Sequence, residues 1–438
     1  DHFMNLKATL AAAIALSFAA PTVSYATNGY LLHGYGKNKG TGGAGIANPR
    51  DALAAATNPA GTVWVEDRFD MYGELFHPRR GYDIDANDGG VNAGNIFSAL
   101  QGGEGDKVKS EKDVFLIPAM GFVSKIDDVS AWGVSVYGAG LGSEYNRDET
   151  TPLGGAGGLD GTFGTGSTGV DLLLIMSNFN YSRKITENSS WGIGLILAAQ
   201  SFKAKGLQAF NLASFGNLGE KERDWAFGYG MNFGAQAEVF DGFTVAGSYQ
   251  TEIGLRHEAY NGLFANDGDL SLPRQWTIGA TWKPNKTSSL SFDVQRIYWS
   301  ETASIGNNFQ DFIDPVTGIP NPLGAGDAAG FGWEDSTVFK LGYEWQMAML
   351  PSWTWRAGYA YQDQIVPETE TLFGTLAPGV IKHHYTFGFS KEFDDGNELT
   401  MNMLYAPKEL VRGAGFSEGV DIYLEEYGLE LGYSWKFN

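Results

Sequence analysis

The sequence predicts an all-β fold: a fourteen-stranded antiparallel transmembrane β-barrel with a small N-terminal hatch in its lumen. Three observations predict it. Apolar and polar residues alternate with period two in the last strand and in run after run before it. The links between those runs alternate between long and short. A stretch of about 39 residues, Thr27 to Val65, has no strand pattern.

The last strand shows the alternation best. Tyr423, Tyr427, Leu429, Leu431, Tyr433, Trp435 and Phe437 share one face; Glu426, Gly428, Glu430, Gly432, Ser434 and Lys436 share the other. Successive side chains of a strand point to opposite faces. An aromatic face beside a small, polar one fits a strand with lipid outside and a wet lumen inside. The same reading yields runs at roughly 67–80, 113–126, 130–145, 171–185, 189–205, 223–239, 243–257, 273–283, 288–300, 334–347, 352–364, 382–393, 397–406 and 421–437. The even-numbered links are tight, as at Asp127-Asp128-Val129, Asp241-Gly242 and Asp394-Asp395-Gly396; the odd-numbered links are long. Long loops on one side and short turns on the other are the habit of outer-membrane barrels. That parity puts the N-terminal stretch and the C-terminus on the periplasmic side. About eight strands give a filled interior and sixteen to eighteen an aqueous channel. Fourteen therefore call for a plug, and residues 27–65 have the right size.

Within that stretch, Asn48 is a good N-cap, Pro49 suits the first helical position and Asp51 favours the helix dipole. Ala52–Ala56 is expected to continue the helix until Asn58-Pro59 ends it. So short a helix has to pack against something.

Composition narrows the function classes. Of 438 residues, 60 are Gly, about twice the usual share, and the net charge of −21 argues against nucleic acid, whose phosphates need Lys and Arg. After the N-terminus no apolar run is long enough for a transmembrane helix. There are no cysteines, so disulfides and thiolate chemistry are excluded. Met4 to Ala26 reads as a secretory signal peptide, with Lys7 in its basic part, Ala8–Ala20 apolar, and Ser24 and Ala26 at the cleavage site. The expected organisation is 1–26 signal peptide, 27–65 hatch and 66–438 barrel. His33, His77, His257, His383 and His384 fall in no metal motif, and no G-x-S-x-G elbow occurs. No enzyme activity, metal or cofactor is expected.

Several segments resemble the long-chain fatty-acid transporter family of Gram-negative outer membranes. They are Gly40-Thr41-Gly42-Gly43-Ala44, Asp51-Ala52, Asn58-Pro59-Ala60-Gly61, Asp293-Val294-Gln295 with Trp299-Ser300, and Arg356 to Gln364 with Pro367 downstream. The resemblance spans essentially the whole mature chain. It implies a fourteen-stranded barrel with an N-terminal hatch, passive uptake of a hydrophobic substrate, and sideways exit into the membrane through a kink in the third strand. On this chain it assigns hatch and gating roles to Asn58, Pro59, Ala60 and Gly61, and to Gly138 and Gly140 on the third strand, where glycines often mark a bend.

The inward faces add a pocket. Phe115, Ile117, Leu172, Leu174, Met176, Ile196 and Phe202 are apolar in an otherwise polar lumen, as a lipid-like ligand requires. The same residues are also suited to packing against the hatch. Lys340, Arg256 and Arg223 are candidates to hold a carboxylate; pairing with Glu238, Glu252 or Glu344 is the alternative. The expected function is an outer-membrane channel for hydrophobic compounds, fatty acids first. Aromatic or aliphatic hydrocarbons are the alternative, and a general polar porin the third. Expected partners are the hydrophobic solute, outer-membrane lipid and lipopolysaccharide; the barrel is expected to be a monomer.

Overall fold

The computed structural model describes residues 34–84, 107–146, 161–309 and 321–437, apart from positions 165, 212, 213, 215 and 219–221. The expected signal peptide lies outside the described residues.

Fourteen strands form one antiparallel sheet in chain order: β1 (Arg68–Ile84), β2 (Phe115–Lys125), β3 (Ser130–Tyr145), β4 (Thr168–Thr186), β5 (Ser189–Lys205), β6 (Asp224–Phe240), β7 (Phe243–Gln250), β8 (Gln275–Asn285), β9 (Ser288–Ile297), β10 (Ser336–Met347), β11 (Leu350–Gln362), β12 (His383–Glu392), β13 (Glu398–Val411) and β14 (Val420–Lys436). β14 pairs with β1 from Arg68↔Lys436 to Ile84↔Val420, which closes the barrel. A further three-residue strand, Lys107–Lys109, extends the sheet beside the upper end of β1. Among the described residues no helix is long and apolar enough to cross a membrane. Every crossing is by strand, with the backbone groups satisfied between neighbours.

The alternation has the predicted sense. On β6, Phe227 and Tyr229 are 73% and 74% exposed, whereas Ala226, next to Phe227 and facing the other way, is buried. On β14, Leu429 and Leu431 face out while Glu430 and Ser434 are buried.

Two expectations change. β7 stops at Gln250 rather than continuing to 257. The chain beyond it turns into the lumen, so Ile253 and Leu255 are buried while Glu252 and Arg256 are exposed. The inward parity flips because the segment leaves the wall. Second, the helix after Pro49 is a single turn, Ala54–Thr57. Asn48 does not cap it; its amide reaches Ser289 Oγ at 3.3 Å. Asn58 ends this turn and caps the next, a 3₁₀ helix Pro59–Trp64, by accepting the Ala60 N–H at 3.0 Å. The third strand, where the resemblance implies a kink, pairs with β4 without a register shift from Ser130↔Arg183 to Tyr145↔Thr168.

Candidate functional site

Residues 34–65 lie against the inward faces of the strands. Their exposed peptide groups and charges meet polar side chains that the wall supplies. Asn178 and Asn232 both donate to the Ala55 carbonyl, at 2.9 and 3.1 Å. Asn180 donates to Thr62 Oγ1 at 2.7 Å, and Asn402 to the Gly36 carbonyl at 2.9 Å. Asp293 Oδ2 accepts the Gly45 and Ile46 N–H groups at 2.7 and 3.0 Å. Ala60 presents its carbonyl to Ser182 and Ser190. Ion pairs add to this. Lys37 meets Glu398, which also takes Arg68 at 2.9 Å; Lys39 meets Glu74; and Glu344 sits between Arg50 at 3.2 Å and Arg356 at 2.6 Å. Two wall glycines make room for the segment. A side chain at Gly358 would collide with the backbone at Thr41–Gly42, and one at Gly192 with Pro59–Ala60. Burial pushes the Asp51 carboxyl up, and Asp70 adds to the shift, while the Lys37 N–H and ammonium oppose it. Asp51 itself accepts from Lys37 N at 2.8 Å and Tyr72 Oη at 2.9 Å.

Towards the long-loop end the lumen turns apolar. A cavity of about 540 Å³ is walled by Leu172 and Phe202 from β4 and β5, and by Phe264, Trp299, Phe331 and Trp333 from the long connections. Leu141 of β3 completes one side; Gln200 and Ser271 are its polar contributors. Phe202 packs edge-on against Phe264 at 4.8 Å between centroids, and Trp299 against Trp333 at 5.4 Å. Such pairs hold the rings in fixed orientations. Of its lining residues none is cationic.

Below that cavity a second one, of about 700 Å³, has the N-terminal segment as its floor, through Tyr35, Ile46 and Ala56. It is the more polar of the two, with Asn232, Gln250, Gln275, Asp293 and Lys340 on its walls beside Tyr137 and Met176. Between the two lies a buried cluster including Leu53, Leu174, Ile196, Ile253 and Leu272.

Beside Leu141 the wall has a gap in its hydrogen bonding. The β2–β3 ladder runs from Lys125↔Ala131 to Ala119↔Tyr137 and stops. Beyond it, β2 continues to pair with β1 as far as Phe115, and β3 with β4 as far as Tyr145. Pro118 has no N–H to give to a ladder. On the other side of the gap Gly138 and Gly140 alternate with Ala139 and Leu141, all four buried.

The pocket residues picked from sequence divide among these places. Leu172 and Phe202 line the apolar cavity, and Phe115 and Ile117 belong to the same buried cluster as both. Met176 lines the polar cavity, and Leu174 and Ile196 fill the layer between. The three cations are not brought together. Lys340 faces the polar cavity opposite Asp293. Arg223 is held at the rim by Asp171 at 2.9 Å and Ser201 Oγ at 2.6 Å. Arg256 is a correction: it is exposed beyond the end of β7, not inward on it. Glu344, a suggested partner for these cations, is taken by Arg50 and Arg356. Asn58, Pro59, Ala60 and Gly61 lie in the seat of the N-terminal segment, where the Asn58 amide donates to the Ile46 carbonyl at 3.0 Å. The aromatics of the long connections were missed, because no periodicity in those stretches fixes where a ring will stand.

A closed barrel with a lipid-facing wall, an occupied lumen and an apolar chamber defines a class: a β-barrel transport protein of the outer membrane. The family model described as "Outer membrane protein transport protein (OMPP1/FadL/TodX)" matches residues 18–394, and the chain belongs to that family. No curated protein sequence matches the chain. Among solved structures it is similar in fold to the Pseudomonas putida toluene transporter TodX, at 17% identity over 93% of this chain and 99% of that one, with a TM-score of 0.65. The Ralstonia pickettii toluene transporter TbuX is 16% identical over 93% and 100%, with a TM-score of 0.62. A Pseudomonas aeruginosa FadL homologue is 16% identical over 96% and 100%, with a TM-score of 0.61.

Proposed function

We propose that this channel for hydrophobic compounds takes up uncharged hydrocarbons, aromatic ones above all, by passive diffusion. The observation that carries this reading is the 540 Å³ cavity, with five aromatic side chains and no cation among its lining residues. A carboxylate drawn into it would lose water with no charge to meet it, which is costly. An aromatic ring loses nothing of that kind. Burying a ring the size of a Phe side chain yields roughly 1.5–3 kcal/mol. A millimolar site needs about 4 kcal/mol. The pocket therefore releases readily what it accepts, as a conduit has to. Similar structures, two of them toluene transporters, support the same class.

In this reading solute passes from the cavity along Leu141 to the β2–β3 gap and leaves sideways into lipid. The N-terminal segment serves as a hatch that keeps the lumen shut to polar solutes. The barrel lies in the outer membrane of a Gram-negative cell. The deciding experiment measures uptake of radiolabelled toluene and of radiolabelled oleate by cells carrying the protein or an empty vector. Toluene uptake that depends on the protein, with oleate uptake unchanged, supports the reading; the reverse overturns it. Fatty-acid uptake remains the competing outcome of that test.

A further inference from the structure

We infer that the apolar cavity selects aromatic solutes carrying one neutral hydrogen-bond acceptor, such as the carbonyl oxygen of an aryl ketone or ester, and that Trp333 and Gln200 are the donors that read it. The inference rests on the hydrocarbon reading of that cavity and narrows its solute class.

The first donor is an indole. Trp333 is 3% exposed and lines the cavity, and its Nε1 is buried with no acceptor. The neighbouring indole differs: Trp299, packed edge-on against Trp333, donates its Nε1–H to Ser336 Oγ at 3.2 Å. An indole nitrogen can only donate. Left unmatched in a buried place, it forfeits the hydrogen bond that water gave it in the unfolded chain. Native folds keep few such groups, and each calls for a reason.

The second donor is an amide. Gln200, on β5, is 1% exposed and lines the same cavity. Its Oε1 lies 2.9 Å from Nε2 of His257, a fully buried residue. That contact sets the proton on Nε2, since only then does the amide oxygen face a donor. The amide therefore turns its oxygen to His257 and its NH2 away. Gln200 makes no other side-chain hydrogen bond among the described residues. The imidazole that orients it is held in turn. Its ring packs against Phe202 at 5.9 Å and Phe264 at 6.1 Å between centroids, and its Nδ1 is 3.5 Å from Asp224 Oδ2.

The third polar group of the lining is already used both ways. The Ser271 hydroxyl accepts the Leu255 N–H at 3.1 Å and donates to Asp269. The lining side chains thus offer two unmatched N–H donors and no free acceptor. Water answers that poorly, because it brings hydrogens of its own and needs two to four partners. A carboxylate brings a charge that nothing here meets. A ketone or ester oxygen brings lone pairs alone, on a body that is otherwise apolar. Its ring takes the place among Phe202, Phe264 and Phe331, and its oxygen takes an N–H. Toluene fills the same space and leaves both donors bare, and a site with polar groups left unpaired discriminates against such an analogue.

The test uses acetophenone and α-methylstyrene, planar isosteres that differ in C=O against C=CH2. Each displaces radiolabelled toluene from the purified full-length barrel in nanodiscs, and the ratio of the two affinities is compared among variants, so that partition into lipid cancels. Trp333→Phe keeps a ring and removes the N–H; Gln200→Leu removes the amide at similar size. Each is expected to lower the preference for acetophenone about fivefold, the share of one hydrogen bond; a fall in one variant alone assigns the oxygen to that donor. The infrared band of acetophenone isotope-labelled at its carbonyl is expected to lie below its position in hexane when bound to the original barrel, and to move back towards it in the variants. An unchanged ratio in both variants, or a bound carbonyl at its hexane position, overturns the inference. The infrared measurement on the original barrel decides even where heat-modifiable migration shows a variant unfolded. Absence of saturable toluene binding by the original barrel sinks the hydrocarbon reading and this inference with it. Saturable toluene binding with an unchanged ratio sinks this inference alone.

Discussion

The two ends of the lumen solve opposite problems with the same wall. At the short-turn end the wall offers carboxylates and amides that meet residues 34–65: Glu398 with Lys37, Asp293 with two N–H groups, Asn178 with Ala55. At the long-loop end it offers Leu172 and Phe202 to rings from the connections. Polar pairing is directional and fixes one position. Apolar contact is not directional and tolerates many shapes. The difference teaches that one end is built to hold a single segment of its own chain, and the other to accept whatever is apolar and of about the right size.

That contrast can be broken from either side. The largest effect is expected from Phe202→Asp, which puts an unpaired carboxylate in the apolar cavity. Toluene uptake by cells is expected to fall at least tenfold while heat-modifiable migration is unchanged. Next comes Glu344→Ala, which leaves Arg50 and Arg356 without their shared carboxylate. Breaking a buried pair by removing one partner costs about 3 kcal/mol. The seat of the N-terminal segment is expected to loosen, read as a higher single-channel conductance in planar bilayers, with toluene uptake retained. Gly140→Val is expected to act between the two. By filling the β2–β3 gap it should slow toluene release from loaded proteoliposomes a few-fold and leave equilibrium binding unchanged. The smallest effect is expected from Lys203→Ala, which removes a pairing with Glu222 at 3.5 Å on the exposed rim. Exposed pairs contribute little, and both uptake and thermal melting should match the original protein. A large loss there would show that the rim, not the cavity, controls capture.

The barrel was legible in the sequence because lipid imposes one rule on every outward residue. Tyr433, Phe227 and Leu429 obey it whatever their neighbours are. The inward apolar residues of β4 and β5 were legible as exceptions to it. Where the pairing stops was not. Ile253 and Leu255 keep the period of two after Gln250, so the pattern reads as more of β7 although the chain has turned inward and the parity has flipped. Arg256 was misplaced for that reason. Gly138 and Gly140 likewise look the same whether a strand is bent or merely unpartnered on one side; the gap arises on the β2 side, beside Pro118. Rings from the long connections carry no register at all, so Phe264 and Trp333 could be placed only by the fold.

The seat of the N-terminal segment also bears on how the molecule is made. Lys37 meets Glu398 across 361 positions of sequence, and Asn402 meets Gly36 across 366. β1, which follows the segment directly, pairs with the very last strand. Contacts so distant are slow to form, since the intervening loop has to close first. Lys37 and Gly36 thus meet their partners only after β13, near the other end of the chain, has formed. Assembly carries its own proofreading: a barrel missing β13 has neither Glu398 nor Asn402 to seat its N-terminal segment.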